Sequence, residues 1–322
     1  MARSLLRILS ATAFILALLL ALAAVLIRQP VPGSAPFLSR ERADPERLRR
    51  HVEFLTVEAA PRDSDHPESL DKAAAYIHDQ FSRAGARVSE QPFMAWGKTY
   101  RNVIASFGPN EGPLLIVGAH YDAFGDFGAN PGADDNASGT AGLLELARLL
   151  AGRSVDVVLV AYSTEEPPFF ASPKMGSAVH ARSIDKSRVR GMINLEMIGY
   201  FQEEQPWPHW FLRFLYPDRG DFIAVAGRWD DRVLARAVKR AMRGAGTVPV
   251  YSFTAPRSAG LDASDQLSYW NRGIPAVMVT DTSSVRNANY HTPADTAATL
   301  DYRRMAGVVD GVLNAVLYLS EG

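Results

Sequence analysis

Six side chains able to bind metal or move protons stand at or just beyond the ends of apolar, strand-like runs: His120, Asp135, Glu165, Glu166, Glu196 and His291. His120 follows Leu114 to Gly118, the two glutamates follow Val155 to Ala161, Glu196 closes Met192 to Leu195, and His291 lies downstream of Ala276 to Val279. In open α/β sheets, sites gather beyond the carboxyl ends of the strands, so residues this far apart in the chain can converge. Two imidazoles and several carboxylates are a donor set for divalent cations. The order of these residues points to hydrolysis by a pair of metal ions.

Each segment has a structural reading and a chemical one. In Gly118-Ala119-His120-Tyr121-Asp122, the histidine could simply be hydrogen-bonded, but Asp122 stands where it can receive the second ring N–H, fix the tautomer and raise ligand basicity. In Pro131-Gly132-Ala133-Asp134-Asp135-Asn136-Ala137-Ser138-Gly139, the acids could cap the helix that follows. Two successive carboxylates beneath a Gly/Ala turn nevertheless repel unless a cation intervenes, and Asp135 can offer one oxygen to each of two cations. Glu165-Glu166 could be a solvated pair, yet it terminates a buried run, where uncompensated charge is costly. One glutamate can bind metal while its neighbour moves a proton to and from an attacking water. Asn194-Leu195-Glu196 and Asn289-Tyr290-His291-Thr292-Pro293-Ala294-Asp295 add another strand-end acid and the second imidazole. Asp135, Glu166 and Glu196 with one hydroxide would neutralise two divalent cations, so such a site tolerates partial burial.

The elements that must position these residues alternate. Apolar spacing predicts helices over 44–55 and 69–84, with Asp44 and Ser69 as caps, then strands at 88–93 and 101–107. A short apolar strand at 114–118 precedes a helix at 140–150, and further elements follow at 155–161, 175–183, 192–195, 222–226, 230–243, 248–253, 276–279 and 302–319. This alternation predicts an α/β fold with a mostly parallel twisted sheet sandwiched by helices. Residues 200–221 break the pattern and are rich in aromatics: Trp207, Trp210, Phe211, Phe214 and Tyr216. They read either as a lid or pocket wall, or as a packed excursion or membrane-proximal surface.

Composition narrows the chemistry. With 322 residues, 47% of them hydrophobic, one sizeable core can form. The net charge of −1 gives no footprint for nucleic acid. The chain has no cysteine, which excludes disulfides, thiolate zinc sites and a cysteine nucleophile. Imidazole and carboxylate ligands suit zinc and also admit Co2+ or Mn2+. No Gly-x-Ser-x-Gly elbow speaks for a serine hydrolase.

The first residues are a separate object. Arg3 and Arg7 precede an uncharged run from Ile8 to Ile27, which Arg28 closes. At about 1.5 Å per residue such a helix spans a hydrocarbon core of about 30 Å. Residues 1–28 are expected to be a membrane anchor or a signal segment, and 29–39, with Pro30, Pro32, Gly33 and Pro36, an extended linker to a domain over 40–322. The anchor reading puts the domain on the exported side of an inner membrane; cleavage after Ala21-Leu22-Ala23 would instead secrete it.

Taken together, Gly118 to Asp122, Pro131 to Gly139, Glu165-Glu166, Gly176-Ser177, Ser264-Asp265 and Tyr290 to Asp295 resemble the motif set of the M28 family of zinc metallopeptidases, which includes aminopeptidases of the bacterial leucyl and Streptomyces type. The resemblance covers roughly 40–319. It implies a zinc-exopeptidase fold of the phosphorylase/hydrolase-like kind, a peptide substrate and two Zn2+ ions. It further implies that His120 and Glu196 hold one zinc, Glu166 and His291 the other, and Asp135 bridges them. Glu165 would be the general base, Asp122 the partner of His120, and Tyr290 a hydrogen-bond donor to the oxyanion. The sequence departs from the family in two places: aspartate is usual at Glu196, and Pro167 to Met175, with Phe169 and Phe170, looks like an insertion that reshapes the substrate pocket. A single-zinc acyltransferase of the glutaminyl-cyclase type and a non-enzymatic receptor on a peptidase scaffold are the alternatives; the retained His120 and Glu196 argue against the first, and the presence of all five ligands against the second.

Overall fold

The computed structural model describes residues 2–109, 111–125, 130–257 and 260–321. One eight-stranded sheet organises the domain. Its strands are β1 (Arg87–Ala95), β2 (Lys98–Phe107), β3 (Leu114–His120), β4 (Val157–Tyr162), β5 (Val189–Leu195), β6 (Ile223–Arg228), β7 (Val250–Ala255) and β8 (Ala276–Thr280), in the order β1-β2-β4-β3-β5-β8-β6-β7. The centre, β4-β3-β5-β8, is parallel as expected, and so is the edge pair β6-β7. Antiparallel pairs join β1 to β2, β2 to β4 and β6 to β8. The β1-β2 hairpin closes on Trp96 and Gly97, both at positive φ (48° and 78°), the left-handed pair that a two-residue turn needs to match strand twist.

The central strands are buried along almost their whole length because helices cover both faces. α3 (Pro67–Arg83), α4 (Gly139–Leu150), α6 (Arg232–Met242) and α8 (Tyr302–Glu321) belong to the large core that includes Val117, Leu159, Ile193, Val225 and Val277. α5 (Gly176–Ser183) and α7 (Gln266–Trp270) meet a second cluster built on Ile116, Val158, Val160 and Met192. These are the alternate residues of the same strands, as period-2 geometry requires. α2 (Pro45–Glu53) is capped by Asp44, whose side chain accepts from Glu46 N. Ser69, expected as the cap of α3, lies inside it. Pro67 opens the helix instead, because proline lacks the N–H that the first turn would leave unpaired.

α1 (Ala2–Arg28) projects from the domain, with 0% of its apolar window buried, and is long and apolar enough to cross a membrane. Its last turn meets the domain. Thr254 Oγ1 donates to Leu26 O (2.5 Å), Ser252 Oγ to Arg28 O (2.7 Å), and Lys239 Nζ to the carbonyls of Arg28 and Gln29. Residues 29–39 form neither helix nor strand, yet they lie against the domain: Ala35 N donates to Arg240 O, Asn314 Nδ2 to Pro36 O, and Leu38 N to Asn314 Oδ1.

Gly118 is a point of close approach, since a Cβ there would stand 2.3 Å from the ring of Tyr162, which is itself held by a 2.6 Å hydroxyl contact with Tyr269. Gly118→Ala should therefore destabilise the domain by about 1–3 kcal/mol, read as a lowered urea midpoint at unchanged slope. An unchanged midpoint would show that Tyr162 can retreat.

Candidate metal centre

Parallel register sets three of the site residues side by side. His120 ends β3 and pairs with Tyr162 at the end of β4, three residues before Glu165; Gly118 pairs with Asn194, two before Glu196. Asp135 comes from a kinked turn, Ala133–Ser138, ahead of α4, in which its own backbone is not helical (φ −107°, ψ 90°), and His291 from the connection between β8 and α8. His120 Nε2 lies 3.3 Å from Asp135 Oδ1 and 3.4 Å from Glu196 Oε2. His291 Nε2 lies 3.0 Å from Asp135 Oδ2 and 3.3 Å from Glu166 Oε1. Asp135 thus turns one oxygen to each imidazole.

Among the described residues two donor groups result, His120–Asp135–Glu196 and Asp135–Glu166–His291, with the ligand atoms of each within 4.8 Å of one another. Glu165 belongs to neither; its Oε2 is 3.9 Å from His120 Nε2. The donors fit a cation. Glu166 Oε1 and His291 Nε2 are buried without a hydrogen-bond partner, a costly state for atoms that do not bind anything else. The extra methylene of Glu196 is accommodated, because Ser264 Oγ donates to Glu196 Oε2 (2.5 Å) and holds the carboxylate towards His120.

The loops are fixed largely by side chains bonding to backbone. Asp122 accepts from the N–H groups of both Glu165 (3.1 Å) and Glu166 (3.0 Å), and its carboxylate also lies 3.5 Å from His120 Nδ1. It therefore ties the first motif to the third as well as facing the imidazole. Asp295 does the same for the second motif, accepting from the N–H of Asp134 and of Asp135. Asn136 Oδ1 accepts from Gly139 N and Met197 N while its Nδ2 donates to Leu195 O, which fastens the turn to the end of β5. A Cβ at Gly139 would sit 2.4 Å from both Asn136 Oδ1 and Leu195 O, so glycine permits this contact. Thr164, Met197 and His291 adopt positive φ (57°, 51° and 57°), costly for such residues and held by the surrounding bonds.

Arg62, which the sequence reading leaves out, is 1% exposed and donates to the carbonyls of Leu55, Tyr121, Pro131 and Gly132. It places a cation behind the acids and pins the His120 and Asp135 loops together. Tyr290 stacks on one face of His291 (3.7 Å between centroids) and Phe124 on the other (4.0 Å). Phe169, expected at the substrate pocket, packs under the β1-β2 hairpin against Trp96 and Tyr100. Neither it nor Phe170 lines the cavity of about 310 Å3 beside Glu196, whose walls include Trp207, Leu212, Tyr216, Phe222, Phe253 and Met278. Part of the aromatic excursion is thus a pocket wall.

Crowded acids shift one another. Burial, then the field of Asp135, pushes Glu166 up to about 8. Burial would lower His291, but the carboxylates of Asp135 and Glu166, 3.0 and 3.3 Å from its Nε2, outweigh it and carry the imidazole to about 9. Burial likewise opposes protonation of His120, yet Glu196 and Glu165 hold its pKa well above the ordinary value. Burial opposes ionisation of Asp135, and the two imidazoles overcome it and keep that carboxylate below its usual range. Without a cation the site therefore stores protons at neutral pH.

A family model described as Peptidase family M28 matches residues 102–316. The uncharacterized protein YfbL of Escherichia coli is 47% identical over 320 residues, covering 96% of this chain and 98% of that protein. A leucine aminopeptidase 1 of Ajellomyces dermatitidis is 28% identical over 225 residues, covering 65% of this chain, which spans only 53% of that enzyme. Among solved structures, a zinc aminopeptidase from Bacillus subtilis superposes with a TM-score of 0.68 at 16% identity, covering 86% of this chain and 95% of that one. An aminopeptidase from Aneurinibacillus superposes at 0.67 and 18%, covering 87% and 94%. Both likenesses bear out the mixed α/β sheet with flanking helices.

Because Glu166 and His291 must lose their protons to bind a cation, Zn2+ added to metal-free protein at pH 7 should release protons, and affinity should rise with pH until about pH 9. Calorimetry in buffers of different ionisation enthalpy checks this; no proton release would contradict it. Arg62→Lys, which cannot span the same four carbonyls, should weaken Zn2+ binding by about tenfold or more, measured by competition with a chelator.

Proposed function

The chain belongs to peptidase family M28, and from that premise we propose that it is a zinc aminopeptidase whose two metal ions share Asp135. One observation carries the reading: the two oxygens of a single buried carboxylate face two imidazoles, each completed by one further acid. His120 and Glu196 would hold one ion, Glu166 and His291 the other. Bound zinc would polarise the scissile carbonyl and bring the pKa of water towards 7.

The remaining work falls to the chain. Glu165 takes a proton from the attacking water and returns it to the departing amine. Its backbone N–H donates to Asp122, which fixes the loop that carries it. Tyr290 donates to the carbonyl oxygen as charge develops there. Burial, then the fields of Asp135 and Glu166, keep its phenol protonated and so able to donate. The apolar cavity beside Glu196 takes the side chain of the residue to be removed. α1 holds the enzyme in the membrane with the catalytic domain exported, since Arg3 and Arg7 precede the span.

Glu165→Gln should keep its metal content, measured by mass spectrometry of bound metal, while kcat falls about a hundred- to ten-thousand-fold. Retained turnover in the metal-loaded variant would refute the role. A peptide library with free and acetylated amino ends tests the specificity. Cleavage confined to free ends is expected; equal cleavage of both, or cyclisation of glutamine-leading peptides, would replace the aminopeptidase reading.

A further inference from the structure

Two exposed apolar surfaces meet at the point where α1 leaves the domain. Tyr216 lines a cavity of about 240 Å3 together with Ala24, Val25 and Arg28 of α1. Immediately before it, the 3-10 turn Trp210–Phe214 presents Trp210 (74% exposed), Phe211 (43%) and Phe214 (78%). Trp210 stands edge-on to both phenylalanines, at 6.4 and 5.8 Å, so the three rings form one patch. From the other side, Trp229 Nε1 donates to Thr254 O, and the side chain of that same Thr254 donates to Leu26 O. Val233, one turn further along, is 74% exposed. Arg213, Arg236 and Arg240 are exposed on the same two segments.

We propose that this collar is a second membrane contact: the rings of Trp210, Phe211, Phe214 and Trp229 sit at headgroup level in the leaflet from which α1 emerges, and the arginines rest on anionic phospholipid. The inference rests on reading α1 as a membrane anchor. The position of α1 identifies the occupant. The domain touches the helix at Ala24 and Val25, inside the apolar stretch Leu6–Arg28, so the collar lies level with the lipid surface once that stretch is in a bilayer. Hydrogen bonds from Lys239, Ser252 and Thr254 to the last carbonyls of α1 keep it there. Tryptophan and phenylalanine beside arginine are the composition that such an interface favours, the rings for their apolar area and the cations for anionic headgroups. Trp207, Leu212 and Tyr216 of the same excursion wall the cavity beside Glu196, so lipid seating would also steady the pocket.

The absence of cysteine makes the test direct, because one introduced cysteine carries the only label. Full-length protein is placed in phosphatidylcholine–phosphatidylglycerol vesicles as Leu16→Cys, Phe214→Cys or Met94→Cys, each bearing an environment-sensitive fluorophore. Met94 is exposed on β1, at the opposite edge of the sheet from β7. The expected result is a blue shift and a several-fold loss of aqueous iodide quenching at 16 and at 214, with 94 unprotected. Protection at 16 with 214 as open as 94 would overturn the collar and leave the anchor standing. Exposure at all three would remove the anchor and the collar together. Protection at 214 that follows protein concentration in detergent and ignores lipid would assign the patch to a second copy of the chain instead.

Discussion

The structure depends on keeping a group of acids together inside the protein. Asp122, Asp134, Asp135, Glu165, Glu166, Glu196, Asp265 and Asp295 are all buried, and buried like charges repel. What opposes that repulsion sets the local architecture. Two imidazoles face the inner carboxylates, Arg62 lies behind them, and backbone N–H groups take up Asp122, Asp134 and Asp295. Three acids that are not candidate ligands organise residues that are. Asp122 holds the Glu165–Glu166 backbone, Asp295 holds the turn carrying Asp135, and Asp134 accepts from Gly199 N and Asn287 Nδ2, joining that turn to the segments after β5 and before His291. The neighbouring acids Asp134 and Asp135 thus divide their work, Asp135 facing the imidazoles and Asp134 fastening the loop.

This division explains which parts of the site could be read from sequence. Ligand-type residues at strand ends announce themselves, because a carboxylate closing an apolar run has few structural uses, and the six singled out do converge. The fold was legible for the same reason: β3, β4, β5 and β8 are short apolar runs that only a doubly covered sheet can accommodate. Arg62 was not legible. An arginine in a polar loop looks like any surface cation, and its role depends on four carbonyls drawn from separate segments. Ser264 was legible only as part of a motif; its contact with Glu196 crosses 68 positions. α7 carries no periodic signal, because five residues are too few to show one. The antiparallel insertion of β6 beside β8 follows from topology, which apolar spacing does not encode.

Residues 200–221 illustrate how one irregular segment serves two environments. An antiparallel bridge between Gln202 and Gly220 closes its base, and buried Arg286 donates to Gln205 Oε1, Tyr200 O and Phe222 O, so the excursion is clamped where it leaves the sheet. Trp207 then stacks on Phe222 and hydrogen-bonds Pro217 O, which turns its ring to the cavity. Leu212 and Tyr216 point the same way, while Trp210, Phe211 and Phe214 point out. Helical turns sort side chains in this manner whenever apolar residues occupy more than one face. Here the inner face meets a cavity, and the outer face is left to whatever surrounds the domain.

The junction with α1 has its own requirement. The last carbonyls of any helix lack intrahelical donors, and at the end of a long apolar helix they would have to be satisfied by water or by protein. In this chain protein supplies them: Thr254 for Leu26, Ser252 and Lys239 for Arg28, and Lys239 again for Gln29. The choice of lysine also suits the negative end of the helix dipole. These donors lie on β7 and α6, and Tyr216, whose hydroxyl donates to Ser252 O, stands between them and the cavity beside Glu196. A tether swinging on free residues would need none of these bonds. Their presence makes the end of α1 part of the domain's own hydrogen-bond network, with Tyr216, Tyr251 and Ser252 between the helix and the cavity beside Glu196.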